Sequence, residues 1–163
     1  MNKLLGLGAL LTGAAAAYLI IAPSPIDPVA WEAPPIPLMS GALEPNDTLM
    51  KAELIGKGAI HGPEDTAVDA EGRLYASLHN GQVVRFDSDG QPAVFADTQG
   101  RPLGMDFDRQ GNLIVADAYK GLLSINPQGQ IRVLSTTAGG VPFAFTDDLD
   151  IASDGRIYFS DAS

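Results

Sequence analysis

The chain has 163 residues, with 20 Asp and Glu against 10 Lys and Arg, which gives a formal net charge of −10 at pH 7. This acidic balance provides no basic surface for phosphates and argues against general nucleic-acid binding. The chain contains no cysteine, which excludes disulfides, thiol nucleophiles and cysteine-ligated metals. With 45% apolar and 18% charged residues, the composition is that of a folded protein.

An uncharged, apolar segment runs from Leu4 to Ala22. As a helix rising about 1.5 Å per residue it would cover roughly 28 Å, close to the thickness of a bilayer's hydrocarbon core. Lys3 precedes the segment and the next basic residue is Lys51, so the positive-inside rule predicts a cytoplasmic N-terminus and an extracytoplasmic remainder. Residues 1–22 are therefore predicted to be a membrane anchor. A cleavable signal peptide is the alternative, with small residues for cleavage at 14–17.

Proline dominates the next stretch, residues 23–58, which is predicted to be an extended spacer. Proline at this density excludes helices and central strands. Trp31, Ile36 and Leu38 are too apolar for a plain linker. Part of the spacer is therefore predicted to pack on the domain that follows it.

Similar segments follow one another from residue 59 onward. Each passes from strand-forming residues through an acidic turn ending in glycine to a second strand. The turn glycines Gly72, Gly111 and Gly155 lie about 39 and 44 residues apart, which is the blade spacing of β-propellers. An ordinary β-sandwich with fortuitous spacing is the alternative.

The repeats predict an all-β fold of the β-propeller type, with four antiparallel strands per blade. The blades are assigned to residues 59–97, 98–136 and 137–163, the last of them incomplete. A propeller closes on itself with about four to eight blades, and roughly two and a half are predicted here. The sequence is therefore predicted to be the N-terminal part of a longer protein.

Short motifs in a fixed order carry a family resemblance. They are Gly62-Pro63-Glu64, Arg101-Pro102-Leu103-Gly104, Ala116-Asp117-Ala118-Tyr119-Lys120-Gly121-Leu122, Phe145-Thr146-Asp147-Asp148-Leu149 and Ile157-Tyr158-Phe159-Ser160-Asp161. In this order they resemble the strictosidine synthase-like proteins, within the wider group of gluconolactonases and paraoxonases, and above all the adipocyte plasma membrane-associated branch. The resemblance implies a six-bladed propeller behind one N-terminal membrane helix. It also implies hydrolysis of esters or lactones, often of arylesterase type, that depends on a divalent metal.

Glu64 and Asp147 are the candidate metal ligands, because they occupy the same position in the first and third repeats. Equivalent positions at the starts of inner strands face one end of a propeller's channel, where carboxylates can share a hard cation such as Ca²⁺. By resemblance, Glu64 matches the family's metal-binding glutamate, and Asp147 matches a position usually held by Asn. Asp65 and Asp148 match a weaker acidic position, in the second shell of ligands or in a structural role. The alternative is that all of these acids cap turns or are solvated.

Other polar residues are weaker candidates. Leu103 stands in the second repeat where sugar lactonases tend to have Asn, which argues against a gluconolactonase proper. His61 and His79 are the only imidazoles; either could act as a base near the metal, but exposed surface is the simpler interpretation. Asp117 and Asp161 follow the second strands of two repeats, where turn stabilisation explains them. No catalytic residue is assigned.

The first functional hypothesis is a membrane-anchored, metal-dependent hydrolase, active only as the complete propeller, whose partner is a small-molecule ester or lactone. The second is a strictosidine synthase-like condensing enzyme that joins an amine to an aldehyde. The third is a non-catalytic propeller that binds partners at the cell surface. The acidic pair Asp147-Asp148 favours the first, because the condensing enzymes resemble this motif without retaining the acidic ligand.

Overall fold

A computed structural model describes residues 2–22 and 29–162. The chain divides into two compact units, Met1–Leu49 and Met50–Ser163. In the first unit, α1 covers Asn2–Ile21, so a helix forms where the uncharged segment predicts one. Within the described ranges, no helix is long and apolar enough to cross a membrane.

The proline-rich stretch has little regular structure. Residues 29–40 form no helix or strand, as their prolines predict, and short 3₁₀ helices follow at Gly41–Leu43 and Thr48–Lys51. The start of the predicted spacer, residues 23–28, lies outside the described residues. Trp31, Ile36 and Leu38 are largely exposed, and the packing predicted from them stays a prediction.

The second unit is built mainly from antiparallel strands. The first sheet contains β1 (Pro63–Val68), β2 (Leu74–Leu78), β3 (Gln82–Phe86) and β4 (Pro92–Asp97). The second sheet contains β5 (Pro102–Phe107), β6 (Leu113–Asp117), β7 (Gly121–Ile125) and β8 (Ile131–Ser135). Strand order in each sheet follows chain order, so each sheet is a meander of hairpins. The predicted all-β class is confirmed.

Two further pairs of strands follow. A short hairpin is formed by β9 (Thr137–Ala138) and β10 (Val141–Pro142). A longer pair is formed by β11 (Thr146–Ile151) and β12 (Ile157–Asp161). The pair β11–β12 repeats the pairing of β1 with β2 and of β5 with β6.

Glycine closes the turn between the first two strands of each repeat. Gly72, Gly111 and Gly155 have φ angles of 80°, 78° and 86°, a left-handed conformation that glycine adopts without steric penalty. Local turn chemistry therefore fixes where each second strand begins.

The main apolar core lies between the first two sheets. The Tyr75 ring meets Phe95 and Phe107 edge to face, each with ring centres 5.1 Å apart. Buried residues from both sheets complete this core: Ala67, Val83, Ala96, Met105, Leu113, Val115, Leu123 and Ile125. Strand β5 contacts both β1 and β11, so the first strands of the repeats lie side by side. This packing brings the predicted site positions onto neighbouring strands.

Candidate functional site

The three neighbouring strands β1, β5 and β11 share an irregularity at the same place. Register with the partner strand shifts between Pro63 and Thr66, between Pro102 and Met105, and between Thr146 and Leu149. The residues inside these bulges are Glu64-Asp65, Leu103-Gly104 and Asp147-Asp148. Bulges re-aim side chains and are frequent beside active sites. Both predicted metal ligands therefore occupy equivalent bulges, on the strands that flank β5.

Glu64 already holds a cationic group. Nη2 of Arg101 donates a hydrogen bond to its Oε1 at 3.0 Å, and each side chain is 36% exposed. The guanidinium carbon of Arg101 also lies 6.0 Å from the centre of the Phe145 ring. Hydrogen bonding to Glu64, with a smaller contribution from Tyr119, raises the pKa of Arg101. One guanidinium thus connects side chains from all three repeats.

Asp65 links the first two sheets. Its Oδ2 accepts a hydrogen bond from the backbone N–H of Met105 at 2.8 Å. The buried Ser77 hydroxyl donates to the carbonyl of Leu103 at 2.8 Å and accepts from the backbone N–H of Asp65 at 3.0 Å. These contacts give Asp65 a structural role between the strands.

Asp148 lies directly against Gly104. A Cβ added at position 104 would come within 2.7 Å of the Asp148 Cα, closer than real Cβ contacts. The backbone N–H of Asp148 donates a hydrogen bond to Ser160 Oγ at 3.2 Å, as the backbone N–H of Asp65 does to Ser77 Oγ. The close approach explains why the second repeat has glycine where the other two have aspartate.

The donor set fits a divalent cation in part. Glu64 and Asp147 offer hard carboxylate oxygens, the ligand type that Ca²⁺ prefers, but Ca²⁺ takes about 6–8 oxygens. Leu103, at the equivalent position of the strand between them, is buried and has no donor side chain. Among the described residues, no group of three or more His, Cys, Asp or Glu side chains is placed to hold a metal ion. Further ligands would have to come from elsewhere.

Asp117 is buried beside this site, and its carboxylate accepts several hydrogen bonds. Its Oδ1 accepts the backbone N–H groups of Arg101, Tyr119 and Lys120 at 3.0, 2.9 and 3.0 Å. Its Oδ2 is buried and has no hydrogen-bond partner in the part of the chain that the structure describes. The Thr146 hydroxyl donates to the Asp117 carbonyl at 2.7 Å. Asp117 therefore holds the backbone of Arg101 and the residue before Asp147.

In the sequence, the only signal for Asp117 is that an aspartate recurs at the equivalent position of the third repeat. Asp161, the equivalent residue in the third repeat, accepts the backbone N–H groups of Ala144 and Phe145 at 3.1 and 2.7 Å. In both repeats the aspartate ties the end of the second strand to the segment that enters the first. The turn-stabilising role predicted for Asp117 is thus only part of what it does.

The two histidines lie beside the start of β1. Both are exposed, and His79 Nδ1 is 3.4 Å from the carbonyl oxygen of His61. No acid–base role is indicated by this contact.

A cleft of the second unit lies away from these bulges. An open cleft of about 1000 Å³ is lined by residues 53–57 and by the turns at 71–74 and 85–91. These turns stand at the opposite end of the first sheet from Glu64, so the cleft and the bulges are separate features.

Comparison with known proteins relates the sequence of this chain to a family. Residues 41–86 match the family described as strictosidine synthase-like, N-terminal. The adipocyte plasma membrane-associated protein of Rattus norvegicus is 36% identical over 89% of this chain and 43% of its own length. The protein STRICTOSIDINE SYNTHASE-LIKE 4 of Arabidopsis thaliana is 43% identical over 71% of this chain and 33% of its own length.

A solved gluconolactonase from Xanthomonas campestris has a similar fold. It superposes with a TM-score of 0.58 at 26% identity, over 63% of this chain and 35% of that one. The repeated sheets are therefore propeller-like, and the chain belongs to the strictosidine synthase-like family. It is similar to the adipocyte plasma membrane-associated protein, and it spans less than half the length of these relatives.

Proposed function

We propose that the chain is the N-terminal part of a propeller enzyme that hydrolyses small esters or lactones at a divalent-metal site. The observation that carries this proposal is the equivalent placement of Glu64 and Asp147 in the bulges of β1 and β11, on either side of β5. The fold shared with a gluconolactonase supports lactone hydrolysis as the reaction class.

In this proposal the residues in and beside the bulges have different roles. Glu64 and Asp147 bind the cation, and the buried Leu103 gives the strand between them an apolar surface. A bound divalent cation would polarise the substrate carbonyl and favour attack by water. Asp65 and Asp117 hold the neighbouring backbone and do not contact substrate. Calcium is the cation we propose, because the donors are carboxylates.

A six-bladed ring and membrane association complete the proposal. The share of its relatives that the chain covers supports a ring continued by further sequence. The printed name of the Rattus norvegicus relative supports membrane association. The extracytoplasmic position of the propeller is proposed from the charges that flank residues 4–22. Fractionation of cells expressing full-length protein, with and without residues 1–22, tests this. Loss of protein from the membrane fraction on deletion supports it, and an unchanged distribution contradicts it.

Hydrolysis is tested with full-length protein on phenyl acetate and a panel of lactones, with and without EDTA. Glu64→Gln should lower kcat/KM at least about 100-fold, because even the outer partners of metal ligands are worth 10–100-fold. Glu71→Gln is the matched control: Glu71 also pairs with an arginine, Arg73, at 2.9 Å, but in the turn at the far end of β1. Calcium binding without turnover on the whole panel would contradict the enzyme and favour a binding propeller.

A condensing enzyme is the second candidate. The match of residues 41–86 to the strictosidine synthase-like family favours it. Incubation of full-length protein with paired amines and aldehydes tests this reaction, with product detected by mass spectrometry. EDTA-resistant condensation, with no ester or lactone hydrolysis, would replace the first proposal with this one.

A further inference from the structure

We propose that Arg101 is a built-in counter-ion of Glu64 and competes with the divalent cation for that carboxylate. This inference rests on the proposed metal site and adds how its occupancy is controlled.

The first support is the geometry of the pair. Arg101 Nη2 lies 3.0 Å from Glu64 Oε1, across 37 positions of sequence and between two sheets. A guanidinium at this distance occupies a carboxylate oxygen that a Ca²⁺ ion would have to share or take over, because Ca²⁺–oxygen distances are only about 2.3–2.6 Å. The same oxygen atom cannot hold both cations at full strength, since they repel each other.

The second support is that Arg101 is held in place and is not a loose surface side chain. Its backbone N–H donates to the buried Asp117 carboxylate at 3.0 Å. Its Nε is buried, without a hydrogen-bond partner among the described residues. Its guanidinium lies over the Phe145 ring, a favourable position for a cation. The side chain is therefore pre-positioned on Glu64 before any metal arrives.

The third support is the charge pattern around the pair. Strand β5, between the two candidate ligands, carries Leu103 in its bulge, and Arg101 immediately precedes this strand. If a monovalent ion takes the place of the guanidinium beside Glu64, the positive charge next to that carboxylate stays at one. If a divalent ion takes its place, that charge rises to two. The pair should therefore raise the concentration of divalent cation needed to fill the site and discriminate against monovalent ions.

The test is isothermal titration calorimetry of CaCl₂ into EDTA-treated full-length protein. Arg101→Gln removes the competing charge and should tighten calcium binding about three- to ten-fold, the range expected when an exposed ion pair and its repulsion of a nearby cation are lost. Arg101→Lys keeps the charge but not the planar guanidinium over Phe145, so it should tighten calcium binding less than Arg101→Gln does.

Arg156→Gln is the matched control. Arg156 also pairs with a carboxylate, Asp154, at 2.6 Å, and its loss changes the net charge equally. It lies beyond the far end of β11, roughly 17 Å from Asp147 at about 3.3 Å per strand residue, so salt screens its effect on the site. The calcium affinity of the Arg156→Gln protein should equal that of the unsubstituted protein.

The outcomes separate the two proposals. Unchanged or weaker binding in Arg101→Gln, with binding abolished in Glu64→Gln, overturns the competition and leaves the metal site standing. Equal tightening in Arg101→Gln, Arg101→Lys and Arg156→Gln also overturns it. Calcium binding that Glu64→Gln does not alter, or no binding at all, overturns the metal site and this inference together.

Discussion

Replacement of Asp117 by alanine is the sharpest test of how the site is held together. The carboxylate is fully buried, and one of its oxygens accepts three backbone N–H groups. Alanine removes the acceptor while leaving the strand β6 intact. The three donors then lose their partner at once, since they converge on a single oxygen.

The size of the loss follows from these contacts. Hydrogen bonds to a charged group contribute about 1.5–3 kcal/mol each. Tyr119 and Lys120 are exposed, so water can replace the carboxylate at their N–H groups. Removal of the buried, unpartnered Oδ2 also relieves a desolvation penalty. We therefore expect Asp117→Ala to lower the free energy of unfolding by about 2–4 kcal/mol.

Urea unfolding of full-length protein, followed by circular dichroism, measures this loss. Asp161→Ala is the control, because Asp161 accepts two backbone N–H groups at the equivalent position but is exposed. We expect it to lose less than about 1 kcal/mol. Asp117→Asn keeps an acceptor oxygen without the charge. Its loss in free energy of unfolding should lie between those of Asp117→Ala and Asp161→Ala.

A loss below about 1 kcal/mol for Asp117→Ala, a typical value for one ordinary hydrogen bond, would refute the reasoning. Equal losses at Asp117 and Asp161 would refute it too, because burial is the difference on which the estimate depends.

Two further substitutions test the packing and the turns. Gly104→Ala places a Cβ within 2.7 Å of the Asp148 Cα and should destabilise the protein by about 1–3 kcal/mol, as overpacking does; an unchanged urea midpoint would contradict this. Burial alone would raise the pKa of Asp69, but hydrogen bonds from Arg73 and Tyr75 overcome it and hold that pKa below its usual value. The stabilisation is therefore present above about pH 4 and lost as pH falls through the folded-state pKa. Melting temperatures between pH 6 and pH 3 should fall less steeply in Asp69→Asn, and identical slopes would contradict the role of this carboxylate.

Local chemistry made the strands predictable. Turn glycines such as Gly72 and Gly111 fix where hairpins close, and the runs of strand-forming residues between them predict the strands. Each such feature involves neighbours in sequence, so the repeat and the four-stranded sheets could be read without a structure. The equivalence of Glu64 and Asp147 follows from the same repeat.

The contacts around those two residues were not predictable. The pair of Arg101 with Glu64 joins positions 37 apart, and the bond from Thr146 to Asp117 joins positions 29 apart. Such pairs depend on how one sheet packs on the next, which no local pattern specifies. Gly104 shows the same limit: a glycine inside a strand suggests a close approach, but only the structure identifies Asp148 as what approaches.

The close approach at Gly104 also determines where carboxylates can stand. Asp148 fills the space that a side chain at position 104 would need, so the strand between the two acidic bulges cannot carry a matching aspartate there. The bulge of β5 thus holds Leu103 and Gly104 and no acid, between the acidic bulges of β1 and β11. Arg101, three residues before Gly104, pairs its positive charge with Glu64. The order of charges across the neighbouring strands is negative, positive, negative, and it follows from packing before any metal is considered.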